Sequence, residues 1–157
     1  MPTTATTHAE LYVEVQDFYA RQVRLQNNGQ AEEWAATFTE DSRLAHEPDD
    51  AVVHRVGKGT FLGRAELATT MRALHKKLTD AQIQQRHLYT MLTVEPRDEG
   101  TIETSYYSLV FRIKPGQKPA PEVSCPTQDV LVRGKDGNLL VRSRTITHDE
   151  CAQERRC

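Results

Sequence analysis

This sequence predicts an α+β fold in which N-terminal helices pack on a curved antiparallel or mixed sheet and enclose an apolar pocket. Apolar residues recur at helical spacing in the first half of the chain. The spacing becomes strand-like from Gln84 onward, so the helices come first and a meander of long strands follows. The length of 157 residues suits one domain with a sizeable core.

Three helices are predicted from apolar residues that recur every third or fourth position. The first spans about 8–28 and ends at Asn27-Asn28-Gly29, because asparagine and glycine accept the left-handed geometry of a helix C-cap. Its apolar face contains one polar residue, Gln22. The second helix is short, about 30–38, and the third follows Gly63 over about 64–78. The third helix should lie across the sheet.

The remaining elements are predicted to be strands. The turn Pro48-Asp49-Asp50 separates two short β-type stretches, 42–46 and 52–56, which fit a hairpin. A loop with three prolines, 114–121, interrupts four longer strands, which are predicted at 84–95, 101–113, 123–133 and 139–147. We place the folded domain at 8–149, between a disordered N-terminal tail (1–7) and a solvated C-terminal tail (150–157).

Composition and charge exclude several classes of protein. The formal net charge of −2, with acidic and basic residues intermixed, gives no basic stripe for a nucleic acid backbone. Residues 1–7 lack the charged start and apolar run of a secretory signal, so we expect a protein of the reducing cytoplasm that binds no membrane. The cysteines at positions 125, 151 and 157 form no C-x-x-C pair, which argues against a disulfide framework or a zinc site.

Short motifs run through most of the chain in a fixed order. They are Phe18-Tyr19-Ala20-Arg21, Trp34, Phe38-Thr39-Glu40-Asp41, Gly63-Arg64-Ala65-Glu66-Leu67, Arg86-His87, Ser105-Tyr106, Asp129, Arg133, Asp136-Gly137 and Arg144. Over about 10–149 the chain resembles the nuclear transport factor 2-like superfamily, and within it the SnoaL-like branch. The resemblance implies a cone-shaped α+β barrel. The branch that the chain resembles includes polyketide cyclases, scytalone dehydratase relatives and the small subunits of ring-hydroxylating dioxygenases.

The chain departs from this branch at positions that bear on chemistry. Met91 stands where an asparagine is common four residues after the histidine, and Thr127 where a tyrosine is common two residues before the aspartate. Leu139 replaces an aromatic residue after the final turn, a change that we expect to affect packing. The resemblance therefore carries over no particular mechanism.

His87 and Asp129 are the predicted acid/base residues. If His87 points into the pocket, its neutral imidazole can accept or relay a proton near pH 7, and Tyr89, Met91 and Thr93 share its face. A histidine in a strand can equally be a hydrogen-bonded structural residue. Asp129 lies among apolar residues and needs a partner when buried. The partner is either Arg144, in a structural ion pair, or His87, which Asp129 would orient; Asp129 can also act directly as a base with a raised pKa.

Tyrosines are the predicted hydrogen-bond donors to a substrate carbonyl. Tyr19 and Tyr106 are the candidates for this catalytic role, although a tyrosine can also simply pack its ring. Tyr106 and Tyr107 are adjacent and must face opposite sides of a strand, so only one of them can reach the pocket. The predicted substrate-binding residues are Trp34, Met71, Tyr89, Met91, Tyr107 and Arg144.

The sequence predicts neither a metal nor a nucleotide cofactor. His46, Glu47, Asp49, Asp50 and His54 form a local group of metal-ligand side chains. Their spacing matches no established metal site, and the segment around Pro48 is typical of an exposed turn. The run 57–59 lacks the further glycines and the lysine of a phosphate loop.

Proton transfer in a shaped cavity is therefore the predicted chemistry. We hypothesise a cofactor-free polyketide-tailoring enzyme, a dehydratase or cyclase, with His87 and Asp129 as the acid/base pair and a tyrosine as donor. The alternative is a non-catalytic binding or accessory subunit, including the small subunit of a ring-hydroxylating dioxygenase. Buried titratable groups that converge on one point would favour the enzyme. A homodimer is expected in either case.

Overall fold

A computed structural model describes residues 5–154, and in this range helices cover one face of a six-stranded sheet. The helices are α1 (His8–Asn27), α2 (Ala31–Ala35), α3 (Val53–Val56), α4 (Arg64–Asp80) and α5 (Asp149–Glu154). The strands are β1 (Phe38–Glu47), β2 (Thr60–Leu62), β3 (Gln84–Pro96), β4 (Ile102–Ile113), β5 (Ala120–Arg133) and β6 (Leu139–Thr147). The predicted α+β class is confirmed. The predictions for residues 1–4 and 155–157 lie outside the described residues.

The sheet is mixed and open. Its strand order is β2-β1-β6-β5-β4-β3, with β1 parallel to β6 and the other neighbours antiparallel. The four longer strands form the predicted meander from β3 to β6. Because β2 and β3 remain edge strands, the described residues form an open sheet and not a closed barrel. None of their helices is long and apolar enough to cross a membrane.

Helix α1 is fixed at its start by a capping box and along its length by the core. The Thr7 hydroxyl accepts a hydrogen bond from the Glu10 N–H, and the Glu10 carboxylate accepts one from the Thr7 N–H. The buried face contains Leu11, Val15 and Phe18. These side chains join Phe38, Leu131 and others in one core cluster between the helices and the sheet.

Three segments differ from their predicted structure. Helix α2 ends at Ala35, and Phe38 already belongs to β1. The predicted strand 52–56 is the helix α3, which ends at Gly57 in the left-handed conformation (φ 85°), so Thr60–Leu62 supplies the antiparallel partner of β1. Residues Asp149–Glu154 form a helix where a solvated tail was predicted.

Strand β3 changes its inward face part-way along. Before Thr90, the inward side chains are odd-numbered and include His87 and Tyr89; after the register shift between Thr90 and Thr93, Val94 is inward. Met91 lies in this bulge with φ 56° and is 73% exposed, so the prediction that it lines the pocket is wrong. Tyr107 is 49% exposed, and its predicted role in the pocket is also wrong because Tyr106 takes the inward position.

Candidate active site

The inner face of the sheet and helix α4 enclose a cavity of about 320 Å³. Most of its wall is apolar and includes Trp34, Leu44, Phe61, Leu67, Met71, Leu74, Ile83, Val110 and Ile146. The polar side chains on the wall include Gln26, His46, Arg55, His87, Tyr89, Arg144 and His148. A small number of polar groups in an apolar cavity is typical of a site for a small organic ligand.

The predicted site residues separate into three groups. His87, Tyr89, Arg144, Trp34 and Met71 line the cavity. Asp129, Tyr19 and Tyr106 are buried beside it, but none of them belongs to its lining; Tyr19 instead lines an adjacent groove between α1 and β3. Met91 and Tyr107 are on the outer surface. The predicted acid/base pair is therefore not brought together.

Asp129 forms a buried ion pair with Arg144, the residue directly opposite it on β6. Arg144 Nε donates to Asp129 Oδ1 at 2.9 Å, and Arg144 Nη2 donates to Asp129 Oδ2 at 2.8 Å. Both residues are 2% exposed. The structural ion pair that the sequence offered as one alternative is confirmed. The other alternative, orientation of His87 by Asp129, is wrong because the His87 ring is held by another residue.

Two tyrosine hydroxyls complete the coordination of Asp129. Tyr19 OH donates to Asp129 Oδ2 at 2.7 Å, and Tyr106 OH donates to the same oxygen at 3.1 Å. Thr104 Oγ1 lies 2.6 Å from Tyr19 OH and is then the donor to it. Burial raises the pKa of both phenols well above the usual value, so both keep their protons. Their prediction as donors to a substrate is not supported by this geometry, because Asp129 occupies both protons.

Arg144 connects this cluster to the cavity. One Nη2 proton goes to Asp129, and the other goes to Gln22 Oε1 at 2.7 Å. Nη1 donates to Tyr89 OH at 3.2 Å, and within the described residues its second proton has no hydrogen-bond partner. Burial opposes the charge on the guanidinium, but Asp129 holds the pKa of Arg144 well above its usual value. Arg144 therefore presents a permanent cation and an unused donor to the cavity.

Tyr89 is the tyrosine whose ring and hydroxyl reach the cavity wall. Its ring stacks on Tyr106 with 4.3 Å between the centroids. Its oxygen accepts the proton from Arg144, so its own proton is directed away from the guanidinium. Burial raises the pKa of Tyr89, and the hydroxyl stays protonated at neutral pH.

His87 is oriented by Asn27, the last residue of α1. Asn27 Oδ1 accepts from the His87 backbone N–H at 2.8 Å and lies 3.0 Å from His87 Nδ1. The Asn27 amide nitrogen donates to the His87 carbonyl oxygen at 3.4 Å, which fixes the orientation of the amide. Since Oδ1 only accepts, His87 Nδ1 carries the ring proton. Nε2 is then unprotonated, and no hydrogen bond among the described residues uses its lone pair.

The His87 imidazole is neutral. Burial, opposed by Glu122 and aided by Arg144, lowers its pKa from 6.5 to about 4. Above about pH 5 the ring is neutral, so Nε2 can accept a proton and has none to donate. His87 lines the cavity, the groove between α1 and β3, and a second groove beside α4. A ligand can therefore approach it from more than one side.

Comparison with known families identifies this architecture. A family model described as the SnoaL-like domain matches residues 7–145. The chain belongs to the SnoaL-like family. The resemblance inferred from the short motifs is therefore confirmed, and the match covers helices α1 to α4, strands β1 to β5 and most of β6. A comparison with curated proteins gives no match.

Solved structures similar to this SnoaL-like protein cover nearly the whole chain. ActVI-ORFA from Streptomyces coelicolor is 34% identical with a TM-score of 0.78, over 90% of this chain and 96% of that one. Aln2 from a Streptomyces species is 30% identical with a TM-score of 0.80, over 96% and 99%. A protein from Catenulispora acidiphila in complex with S-DNPA is 33% identical with a TM-score of 0.77, over 94% and 99%.

A more distant structure shares the fold. The beta subunit of a putative aromatic-ring-hydroxylating dioxygenase from Novosphingobium aromaticivorans is 16% identical, with a TM-score of 0.70, over 90% of this chain and 92% of that one. At this identity the likeness shows the fold alone. Function must be argued from the site.

Sequence reasoning missed several residues of the site in this SnoaL-like protein. Asn27 was interpreted only as a helix end, and Gln22 only as an interruption of an apolar face. A polar residue in the buried stripe of a helix needs a buried partner, so Gln22 did carry a signal. His148 follows β6 and reaches the cavity, where it meets His46. Nothing in the sequence indicated that these two histidines are neighbours.

Proposed function

We propose that this SnoaL-like protein is a polyketide-tailoring enzyme, a dehydratase or cyclase, that removes a proton beside a carbonyl group of an aromatic polyketide intermediate. The convergence of His87, Tyr89 and Arg144 on one apolar cavity carries the proposal. The SnoaL-like family includes polyketide cyclases and dehydratases, which supports the choice of substrate class.

His87 is the proposed general base. Its Nε2 lone pair is free because Asn27 holds the ring proton on Nδ1. A base with a pKa of about 4 is weak, and it suits an acidic carbon such as one between two carbonyl groups. The proton passes from that carbon to Nε2, and the electron pair of the C–H bond moves into the carbonyl to form an enolate.

Arg144 and Tyr89 are the proposed binding partners of the enolate oxygen. The unused Nη1 proton of Arg144 and the phenolic proton of Tyr89 both belong to groups on the cavity wall. Preorganised donors stabilise a developing negative charge most effectively in a site that excludes water. Asp129 takes no proton in this scheme. It keeps Arg144 charged and fixed, so the enzyme uses the ion pair to position its oxyanion donor.

The enolate then has two productive fates. Loss of a hydroxyl group from the next carbon gives a double bond and water, with the leaving oxygen taking the proton from the His87 imidazolium. Attack of the enolate carbon on a second carbonyl closes a ring, and the new alkoxide takes the same proton. Each reaction returns His87 to its neutral form. Neither reaction changes the overall oxidation state of the substrate, so no oxidant or reductant is needed.

An accessory subunit would have no need of this arrangement. Asn27 orients a buried neutral histidine, and Arg144 retains an unused donor on the same wall. Unused hydrogen-bonding groups in a buried site are costly, and they are expected where a ligand completes them. This observation favours a ligand site, which the proposed enzyme requires and a purely structural accessory subunit does not.

Mass-spectrometric product analysis tests the proposal. The purified protein is incubated with hydroxylated and uncyclised aromatic polyketide precursors and no added cofactor. We expect loss of water or an isobaric product that differs in chromatographic retention. No turnover of any precursor by a folded protein, with unchanged precursors still bound, would favour the accessory subunit.

The homodimer stays a prediction. The outer surface carries the exposed apolar side chains Leu88, Met91 and Tyr107, which burial in an interface would remove from water. Sedimentation equilibrium measures the mass directly. A monomer at the concentrations used for the activity test would reject the dimer without affecting the proposed chemistry.

A further inference from the structure

A second polar cluster lies on the cavity wall at the opposite end of the sheet from His87. His46 is on β1 and His87 is on β3, with β6, β5 and β4 between them. His46 Nδ1 lies 2.8 Å from Nε2 of His148, and both rings line the cavity. The mechanism proposed above uses neither residue. The sequence predicts His46 at the end of the strand 42–46, next to the turn at Pro48, and the described residues contain no group of three or more side chains that could hold a metal ion.

The hydrogen bonds determine which nitrogen of His46 is free. His148 Nδ1 lies 3.1 Å from a carboxylate oxygen of Glu150, and that oxygen favours a proton on His148 Nδ1. His148 Nε2 is then unprotonated and accepts the proton on His46 Nδ1. His46 Nε2 is left as an acceptor, and no hydrogen bond in the described part of the chain uses it. The hydrogen bonds from Glu150 through His148 to His46 thus leave the lone pair of His46 Nε2 available at the cavity.

Arg55 supplies a donor beside this acceptor. Its side chain lines the cavity, and its Nε is buried with no hydrogen-bond partner among the described residues. One terminal nitrogen, Nη1, is held by Glu122 at 3.1 Å. Arg55 and His46 line the same cavity, and the positive charge of Arg55 also lowers the pKa of His46. The cavity therefore has an unused acceptor and an unused donor at the same end.

We propose that His46 Nε2 and Arg55 Nε form a binding site for a phenolic hydroxyl group of the substrate. A hydroxyl group donates one hydrogen bond and accepts another, which matches the pair. A carboxylate has no proton for His46, and an ammonium group has no acceptor for the Arg55 Nε proton. The inference rests on the proposed function and narrows its substrate class: the aromatic intermediate carries a phenol remote from the carbonyl group that meets His87.

The charges around His46 agree with an acceptor role. Burial, aided by His148 and Arg55 and opposed by Asp49, lowers the pKa of His46 from 6.5 to about 4. The ring is therefore neutral at pH 7. Cys125 packs against His148, with 3.6 Å between Sγ and Nδ1, and burial raises the pKa of this thiol to about 12, so it adds no charge. His148 and Glu150 are positioning residues in this scheme.

Binding of 2-naphthol and of naphthalene tests the hydroxyl site without any turnover. Trp34 is the single tryptophan of the chain and lines the cavity, so its indole N–H resonance reports occupancy in ¹H–¹⁵N spectra. We expect 2-naphthol to bind about tenfold more tightly than naphthalene, the effect of one well-placed hydroxyl group. In His46→Leu the preference should fall below roughly twofold. The matched change at an exposed histidine, His54→Leu, and the change His87→Gln should both retain it.

A measurement on the unaltered protein covers the case in which His46→Leu does not fold. The ¹⁵N resonance of His46 Nε2 should move when 2-naphthol is added and should stay in place with naphthalene. An unchanged Nε2 resonance, or a full preference for 2-naphthol in folded His46→Leu, would overturn the hydroxyl site and leave the proposed function standing. If neither compound moved the Trp34 resonance, the cavity would bind no aromatic ligand, and the proposed function would fail together with this inference.

Discussion

The cluster around Asp129 and the site around His87 are both buried and polar, but they differ in how completely their hydrogen bonds are used. Asp129 accepts from Arg144, Tyr19 and Tyr106, and its oxygens are saturated. His87 has one ring nitrogen fixed by Asn27 and the other free toward the cavity. Burial alone therefore does not identify a catalytic residue; an unused donor or acceptor at a cavity does.

Removing the charge of Asp129 should have the largest effect on the contrast between the two regions. In Asp129→Asn, Arg144 keeps its charge in a buried site without a carboxylate, and we expect the free energy of unfolding to fall by about 3–5 kcal/mol. Urea denaturation followed by circular dichroism measures this loss. The control is Asp17→Asn on the exposed face of α1, where a change within about 0.5 kcal/mol is expected.

A double variant sharpens the interpretation of Asp129 as a structural residue. Asp129→Leu combined with Arg144→Met replaces the ion pair by apolar side chains and should recover part of the stability lost in Asp129→Asn. Its activity should remain low because the oxyanion donor on Arg144 is gone. Full activity in a folded Asp129→Asn protein with an unchanged unfolding free energy would contradict the structural role.

Removing the imidazole of His87 should affect activity far more than stability. His87→Gln lacks the basic nitrogen, and we expect kcat to fall by about 10²–10⁴-fold, the usual contribution of a general base. The unfolding free energy should change by roughly 1 kcal/mol or less, since the backbone contacts of residue 87 with Asn27 remain. His54→Gln, an exposed matched change, should leave both quantities unaltered. Normal turnover by His87→Gln would remove His87 from the mechanism.

Local sequence patterns predicted much of this fold but less of the site. The four long strands and helix α4 follow from periodicity, because apolar residues recur at strand spacing in the former and at helical spacing in the latter. Strand β2 and helix α3 were missed, since a run of four residues such as Val53–Val56 fits either structure and only its stop at Gly57 distinguishes them. The pairing of Asp129 with Arg144 was foreseeable from opposite charges on consecutive strands.

The parts of the site that the sequence did not reveal depend on geometry. Alternation along β3 predicted an inward Met91, but the bulge after Thr90 reverses the faces. The contact of Asn27 with His87 joins residues 60 positions apart, and the contact of His46 with His148 joins residues 102 positions apart. No local pattern encodes such contacts, and they decide which nitrogen of each histidine is free.

Removing an oxyanion donor should lower kcat less than removing the general base. The effect should again be confined to a side chain on the cavity wall. Tyr89→Phe removes the one tyrosine hydroxyl on the cavity wall that Asp129 does not hold, and we expect a loss of roughly 10–100-fold in kcat because Arg144 still donates. Tyr107→Phe, on the outer surface, should show no loss in steady-state kinetics. Equal effects of the two changes would indicate that the phenol of Tyr89 does not contact the reacting oxygen.

The smallest expected effect is the pH dependence of stability, which arises at the cavity histidines. His87 and His46 each have a pKa of about 4 in the folded protein and about 6.5 when unfolded. As the pH falls below 6.5 the unfolded chain binds protons first, so the stabilisation present above 6.5 is lost progressively down to about pH 4. We expect each histidine to account for about 1–2 kcal/mol of the loss between pH 7 and pH 5. Arg144 does not titrate there, because its pKa is raised.

Urea denaturation at pH 7 and pH 5 measures how much of the drop in unfolding free energy each histidine causes. The drop in unfolding free energy should shrink by about 1–2 kcal/mol in His87→Gln and by a similar amount in His46→Gln, while Asp17→Asn keeps the full drop. A variant effect that is the same at both pH values would mean that the histidine is already solvated in the folded protein. Its free nitrogen would then be satisfied by water, and the contrast between a saturated cluster and an unsaturated cavity would not hold.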